Sequence, residues 1–163
     1  MTRTTLVRRS PLRRRAALGR GGMKRDSLDR LWSRFIRTRD RFTCQWPGCQ
    51  PTCQAEVKTR PCGRSYPTNS KGYHAAHVFG RGKQSSRVIP ENGIGLCFPH
   101  HQHADHHKQS CFHPWMKQRL GEAAFENLRV QARVPLVGSR RALYREAMRL
   151  WLTNQFAVLE RTA

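Results

Sequence analysis

The chain has 163 residues, of which 31 are lysine or arginine and 10 are acidic, so its formal net charge is +21. This length allows one compact domain with tails and excludes a multidomain enzyme with its own cofactor domain, while the charge favours a polyanionic partner, above all nucleic acid. No run approaches the roughly 18 apolar residues of a membrane span, and the N-terminus has no apolar stretch of signal-peptide length. We therefore expect a cytoplasmic protein without a membrane partner.

The charge and the metal-binding residue types are unevenly distributed along the chain. Residues 1–25 hold nine basic side chains and no acidic one, a composition that cannot bury enough surface to fold alone and predicts a disordered basic arm. Residues 26–113 contain all six cysteines and all eight histidines and must hold any chemistry. Residues 114–163 are predicted to form helices that pack on this core or extend from it.

The first predicted element is a helix that Asp26 or Ser27 can cap and that ends near Asp40. Its apolar side chains recur at helical spacing and form one stripe, made of Leu28, Leu31, Trp32, Phe35 and Ile36. Residues 42–73 are rich in Pro, Gly, Cys and Thr, which indicates turns rather than long elements.

Two short strands and a helix are predicted next. The strands cover 73–79 and 94–98, and a glycine-bearing loop at 80–82 follows the first of them. Pro99 then opens a helix, because proline is favoured at the first helical position. The predicted order is strand, loop, strand, helix.

The C-terminal region predicts two further helices. The apolar stripe of the first consists of Trp115, Met116, Leu120, Ala124 and Leu128. Pro135 and Gly138 end that helix, and Ser139 can cap the next one. The inward face of the last helix is predicted to consist of Leu143, Ala147, Leu150, Trp151 and Val158.

The cysteines are spaced as metal ligands. Disulfides are rare in a reducing compartment, so metal binding is the favoured use of six cysteines. Two knuckle-like pairs can each present two ligands to one tetrahedral zinc: Cys44 with Cys49, and Cys97 with His100. Alternatives pair Cys49 or Cys53 with Cys62, or leave some cysteines as reduced core thiols. Cys111 stands alone in the sequence and is predicted to be inert.

The histidines form two groups, His74 with His77 and the run between His100 and His107. A run of histidines by itself can be a surface that binds metal ions without forming a defined site. Here His77 ends the first predicted strand, Asn92 lies between the strands, and His101 falls in the first turn of the following helix. One hairpin and one helix can therefore supply both a general base and ligands for a divalent cation.

These residues, with Asn92 in NGIGLC and His101 directly after CFPH, resemble an HNH endonuclease of the ββα-metal class. The segments LDRLWSRFIRTRDRFTC, HAAHVFGRGKQSSRVIPEN and HPWMKQRLGEAAFENL are similar to corresponding stretches of phage-encoded HNH proteins. The resemblance covers about residues 27–131. It implies an α+β fold, in which 26–113 form a small zinc-stabilised ββα-metal core with flanking helices.

The resemblance also implies a role for each motif residue. His77 would be the general base that activates water, Asn92 would brace the hairpin and orient His77, and His101 would bind a catalytic Mg²⁺, Mn²⁺ or other divalent cation. The structural zinc would be held by Cys44, Cys49, Cys97 and His100. Phosphate contacts would come from Arg81 and Arg87, which flank the hairpin loop.

Two positions depart from the resemblance. At His100 most members have a fourth cysteine, and a neutral imidazole is also a normal zinc ligand. Many HNH proteins have an acidic metal ligand just before the catalytic histidine, and here that position is Ala76. Asp105 lies four residues after His101, on the same helical face, and is the preferred replacement. His106 and His74 are the alternatives.

The sequence therefore predicts a metal-dependent HNH endonuclease that hydrolyses DNA phosphodiester bonds in the cytoplasm of a bacterial host. The resemblance to phage proteins adds phage packaging or recombination proteins as partners. The main alternative is a catalytically weak or silent zinc-containing DNA-binding module. A structural component of a phage packaging machine is a third interpretation.

Overall fold

The computed structural model describes residues 26–49, 58–68 and 70–162, so the predicted basic arm at 1–25 lies outside the described residues. The fold is mixed α+β, as predicted. Its strands and helices are, in chain order, α1 (Ser27–Arg39), β1 (Tyr73–His77), β2 (Gly93–Cys97), α2 (Phe98–His106), α3 (His113–Leu120), α4 (Glu122–Gln131) and α5 (Gly138–Thr162). None of these helices is long and apolar enough to cross a membrane.

Helix α1 is confirmed with its predicted cap and stripe. The Asp26 carboxylate accepts a hydrogen bond from the Asp29 backbone N–H at 3.0 Å, and the Asp29 carboxylate accepts one from the Asp26 N–H at 3.1 Å. This reciprocal pair is a capping box, which satisfies two backbone donors that the helix start leaves open. The predicted apolar stripe is inward, with buried Leu28, Trp32, Phe35 and Ile36.

The two strands form one antiparallel hairpin in which Tyr73 pairs with Cys97 and His77 pairs with Gly93. Gly93 is needed because a Cβ there would lie 2.5 Å from Cζ2 of Trp32. Helix α1 therefore packs directly on the hairpin. The Asp40 carboxylate at the end of α1 accepts a hydrogen bond from the backbone N–H of Gly95 at 2.6 Å and fixes this contact.

Two hydrophobic clusters lie among the described residues. One packs the hairpin against α2, α3 and α4 and includes Ala76, Ile94, Leu96, Phe112, Met116 and Phe125. The other packs α1 against α5 and includes Leu28, Trp32, Phe35, Leu152 and Phe156. A π-helical turn over Lys108–Phe112 joins α2 to α3 and buries Cys111 and Phe112.

The region between Trp115 and Leu128, predicted as one helix, is two helices. The chain breaks at Gly121, whose φ of +83° lies in the left-handed region that favours glycine. The break turns α4 so that Phe125 and Leu128 are buried while Ala124 is exposed. The predicted stripe was therefore wrong at Ala124 and right at Leu128.

The inward face predicted for α5 was also wrong. Leu143 is 72% exposed and Leu150 is 60% exposed, whereas Leu152 is fully buried. Helix α5 carries apolar residues on two faces, and the sequence pattern alone does not choose between them. The face of α5 that packs inward is accompanied by two ion pairs to the α1 region. Arg145 pairs with Asp26 at 2.6 Å, and Glu160 pairs with Arg34 at 3.1 Å.

Candidate functional site

Four cysteine and histidine side chains meet at the base of the hairpin. The ligand atoms of Cys44, Cys62, Cys97 and His100 all lie within 4.8 Å of one another and could hold one metal ion. Nδ1 of His100 lies 3.0 Å from Sγ of Cys97 and 3.6 Å from Sγ of Cys44, and the Cys62 and Cys97 sulfurs are 4.0 Å apart. Three of the four predicted zinc ligands are therefore brought together.

The fourth member is Cys62, whereas the sequence prediction was Cys49. Two backbone hydrogen bonds explain the difference: Cys62 N–H donates to the Trp46 carbonyl at 3.1 Å, and Cys44 N–H donates to the Arg64 carbonyl at 2.9 Å. These bonds align the segment around Cys62 with the segment around Cys44. Cys49 lies farther along the same pairing, where its N–H donates to the Thr59 carbonyl at 2.9 Å, so it faces Thr59 and not Cys62.

Cys49 belongs to a second group, with His103 and Cys111, whose ligand atoms also lie within 4.8 Å of one another. Sγ of Cys49 is 3.0 Å from Nε2 of His103. Cys111, which is alone in the sequence, is not alone in the fold, because the π-helical turn buries it beside the other two residues. Cys53 lies outside the described residues.

Trp46 lies between the two groups. Its ring stacks on His100, with centroids 5.6 Å apart, and meets the edge of His103 at 5.3 Å. Burial is the main cause that lowers the pKa of both histidines. Both imidazoles are therefore neutral near pH 7, as metal coordination requires.

A cleft of about 210 Å³ lies beside the hairpin, α1 and α2. It brings together four of the predicted site residues: His77, Arg81, His101 and Asp105. Its other lining residues are Asp29, Trp32, Ser33, Ala75, Gly80 and Lys108. Ala76, in contrast, is buried in the core and takes no part in the cleft.

His77 is held rigidly at the end of β1. Its ring stacks on Trp32 with centroids 4.1 Å apart, and Nε2 lies 3.0 Å from the backbone carbonyl oxygen of Arg87. A carbonyl only accepts, so Nε2 carries the proton and Nδ1 is the atom left to accept one. Burial is the largest of the causes that lower the pKa of His77, to about 4, so the ring is neutral at pH 7.

Asn92 is fully buried and braces the loop that follows His77. Its amide donates to the carbonyls of Phe79 at 3.0 Å and Ser86 at 2.8 Å, and its side-chain oxygen accepts from Phe79 N–H at 2.7 Å. Both sides of the loop are thereby fixed by one side chain. Asn92 supports the segment that carries the Arg87 carbonyl, and the contact to His77 is made through that carbonyl.

Each ring nitrogen of His101 lies close to a different residue that was predicted as a possible cation ligand. Nδ1 lies 3.1 Å from Nδ1 of His74, and Nε2 lies 3.4 Å from the Asp105 carboxylate. Asp105 lines the same cleft as His77, whereas His74 lines a neighbouring cavity. His106 is exposed and is not among the residues that line the cleft.

The two arginines predicted to contact DNA have different positions. Arg81 is exposed and lines the cleft, which the half-buried Lys108 also lines. Arg87 is buried, with its side chain 3% exposed, and its guanidinium binds both carboxylate oxygens of Asp29. A side chain enclosed in this way is not available to a phosphate, so the prediction for Arg87 does not hold.

No family model, curated protein or solved structure matches this chain. Its function is therefore inferred from the cleft and the two cysteine and histidine groups.

Proposed function

We propose that this protein is a metal-dependent HNH endonuclease that hydrolyses DNA phosphodiester bonds. The observation that carries the proposal is that His77 and His101 line one cleft, with the base-bearing ring oriented by the Arg87 carbonyl. A pocket that combines an oriented neutral imidazole with candidate cation ligands and adjacent basic side chains suits phosphodiester hydrolysis. The net charge of +21 supports a polyanionic substrate.

The proposed base acts through Nδ1 of His77. Because Nε2 donates to the Arg87 carbonyl, Nδ1 keeps a lone pair that can take the proton from an attacking water. The stacked Trp32 ring and the carbonyl restrict the imidazole to one orientation, which lowers the entropic cost of reaching the reactive geometry.

The hydrogen bonds around His101 favour a cation between that residue and Asp105. Nε2 of His74 lies 2.9 Å from the Lys71 carbonyl, so it carries the proton and leaves Nδ1 of His74 as an acceptor. His101 must then donate from its own Nδ1. Its Nε2 lone pair consequently faces the Asp105 carboxylate at 3.4 Å, and a divalent cation bound by both acceptors would stabilise this arrangement.

This arrangement supports Asp105 among the three candidates for the missing acidic ligand. His101 and Asp105 would hold the catalytic Mg²⁺, Mn²⁺ or other divalent cation, and His74 would orient His101 from behind. A cation bound there would stabilise the negative charge that builds on the phosphate and the leaving oxygen. Lys108, 3.3 Å from the Asp105 carboxylate, and Arg81 would bind the flanking phosphates.

The group of Cys44, Cys62, Cys97 and His100 is proposed to hold a structural zinc. Three thiols and one imidazole form an ordinary tetrahedral zinc set. The group joins the segment after α1 to the end of β2 and the start of α2. His100 immediately precedes His101, so zinc at this group would also fix the first turn of the helix that presents the proposed cation ligands.

A silent zinc-containing DNA-binding module is the second candidate, favoured by the buried, non-ligating Ala76. Incubation of supercoiled plasmid with zinc-loaded protein and Mg²⁺, Mn²⁺, Zn²⁺ or EDTA tests the difference. We expect nicked or linear DNA with at least one cation and none with EDTA. Retarded but uncut plasmid with every cation would reject the nuclease and favour the binding module. Association with phage proteins rests on the sequence resemblance alone.

A further inference from the structure

We propose that Cys49, His103 and Cys111 bind a second zinc ion, separate from the one assigned to the Cys44 group. The three ligand atoms lie within 4.8 Å of one another, and none of the three residues belongs to the first group. The proposal does not depend on nuclease activity, because it concerns the chemistry of two thiols and one imidazole.

The donor set specifies the class of metal. Thiolate sulfur and imidazole nitrogen favour zinc over Mg²⁺ or Ca²⁺, which prefer oxygen ligands. In a tetrahedral site the sulfur and nitrogen ligand atoms are roughly 3.5 Å apart. The Cys49–His103 distance of 3.0 Å equals the Cys97–His100 distance in the first group, so each group contains one equally close pair of sulfur and nitrogen atoms.

A backbone hydrogen bond to sulfur occurs in both groups. Thr59 N–H donates to Sγ of Cys49 at 3.2 Å, and Cys97 N–H donates to Sγ of Cys44 at 3.3 Å. Such donors stabilise a thiolate, which is the form that binds metal. The second group therefore has the same kind of backbone hydrogen bond to sulfur as the first group.

Three separate parts of the chain contribute to the second group. Cys49 follows the turn at Gly48, His103 lies in the middle of α2, and Cys111 is in the π-helical turn. Widening of the helix at this turn is accompanied by burial of Cys111, which is 1% exposed. Short π-helical insertions of this kind are frequent at functional sites. Zinc here would anchor the segment after Trp46 to the middle of α2 and to the π-helical turn.

Helix α2 then serves three sites with successive histidines. His100 faces the Cys44 group, His101 lines the cleft, and His103 joins Cys49 and Cys111. The fourth coordination position of the second zinc is left to water or another donor. The alternative is that Cys111, which is buried, and Cys49, which is partly exposed, are two reduced thiols without a metal.

Native mass spectrometry of the full reduced chain, purified with zinc and no chelator, tests the proposal. We expect two zinc ions per chain in the parent and one in Cys49→Ser, His103→Ala and Cys111→Ser. His106→Ala is the matched control, because His106 lies on the same helix, is exposed, and should leave both ions bound. Cys49→Ser and His103→Ala change partly exposed residues, so they remain informative if Cys111→Ser fails to fold.

The outcomes separate this proposal from the others. A parent with one zinc that is retained in Cys49→Ser and His103→Ala would overturn the second site. Two zinc ions in the parent that persist in all three ligand variants would also overturn it. Failure of plasmid cleavage, in contrast, would reject the nuclease proposal and leave the zinc stoichiometry unaffected.

Discussion

The imidazole of His77 donates a hydrogen bond to the backbone carbonyl of Arg87 across 3.0 Å. The side chain of the same arginine is buried against Asp29 in the first turn of α1. The residue that orients the proposed base is thus itself fixed by an ion pair to the helix that packs on the hairpin. A single network links the helix, the loop and the reactive ring.

Neutralising Asp29 should strongly destabilise the fold. Asp29→Asn keeps the shape and the capping acceptor but leaves the buried guanidinium of Arg87 without its counter-charge, which typically costs about 3–5 kcal/mol. Urea unfolding of zinc-loaded protein measures the loss. Glu160→Gln, which breaks the exposed pair with Arg34, is the matched control and should cost less than about 1 kcal/mol. Equal losses in the two variants would contradict the proposed importance of the buried pair.

Stability should fall with decreasing pH because of His77. Its folded-state pKa is lowered, mainly by burial, from 6.5 to about 4, so the unfolded chain binds a proton more readily in this interval. The stability that comes from burying a neutral imidazole is fully present above about pH 6.5 and is lost as the pH falls towards about 4. The loss amounts to about 2 kcal/mol at about pH 5. Urea unfolding of the parent and of His77→Phe across this range measures it.

The parent should lose more stability on acidification than His77→Phe, which keeps an aromatic ring beside Trp32 but cannot be protonated. Protonation of zinc ligands affects both proteins and cancels in the difference. Parallel stability curves for the two proteins would show that His77 is not buried in its neutral form.

His74 should affect cation affinity without being required for chemistry. If His74 orients His101 through the 3.1 Å contact between their Nδ1 atoms, His74→Ala should weaken the apparent affinity for Mn²⁺ by about 10- to 100-fold. The cleavage rate at saturating Mn²⁺ should stay near that of the parent. A Mn²⁺ titration of plasmid cleavage separates the two quantities, with His106→Ala as control. A rate that saturating Mn²⁺ does not restore would indicate that His74 has a different role.

Zinc counts in double variants should identify which cysteines share an ion. Cys62 and Cys97 belong to one group and Cys49 to the other. Cys62→Ser/Cys97→Ser should therefore lose the same single zinc as either substitution alone, whereas Cys49→Ser/Cys97→Ser should lose two. Native mass spectrometry gives the counts, and near-ultraviolet circular dichroism checks that the chains remain folded. The reverse pattern would restore Cys49 to the first site in place of Cys62.

The elements that carry the cleft were predictable because each has a local signal. Asp26 and the apolar stripe specify α1, Pro99 marks the start of α2, and the residues between Asn92 and Cys97 form a short apolar strand. These signals depend on nearest neighbours along the chain. For that reason the hairpin and both flanking helices were predicted close to their observed bounds.

Features that depend on the path of the chain in space were not predictable. Cys62 joins Cys44 because the segments that contain them pair through backbone hydrogen bonds, and no spacing rule reports such pairing. The buried pair of Asp29 with Arg87 joins residues 58 positions apart. The inward face of α5 is set by contact with α1, since Leu152 and Leu150 are equally apolar and only Leu152 meets that helix.

His77 is proposed to be the general base of a metal-dependent nuclease. The most direct test is the single-turnover rate of plasmid cleavage by the parent and by His77→Phe, compared at equal zinc content and equal DNA occupancy with saturating Mn²⁺. We predict that His77→Phe binds DNA as the parent does and cleaves it about 10²- to 10⁴-fold more slowly. Cleavage at the parental rate, under conditions in which EDTA stops the parent, would contradict the account.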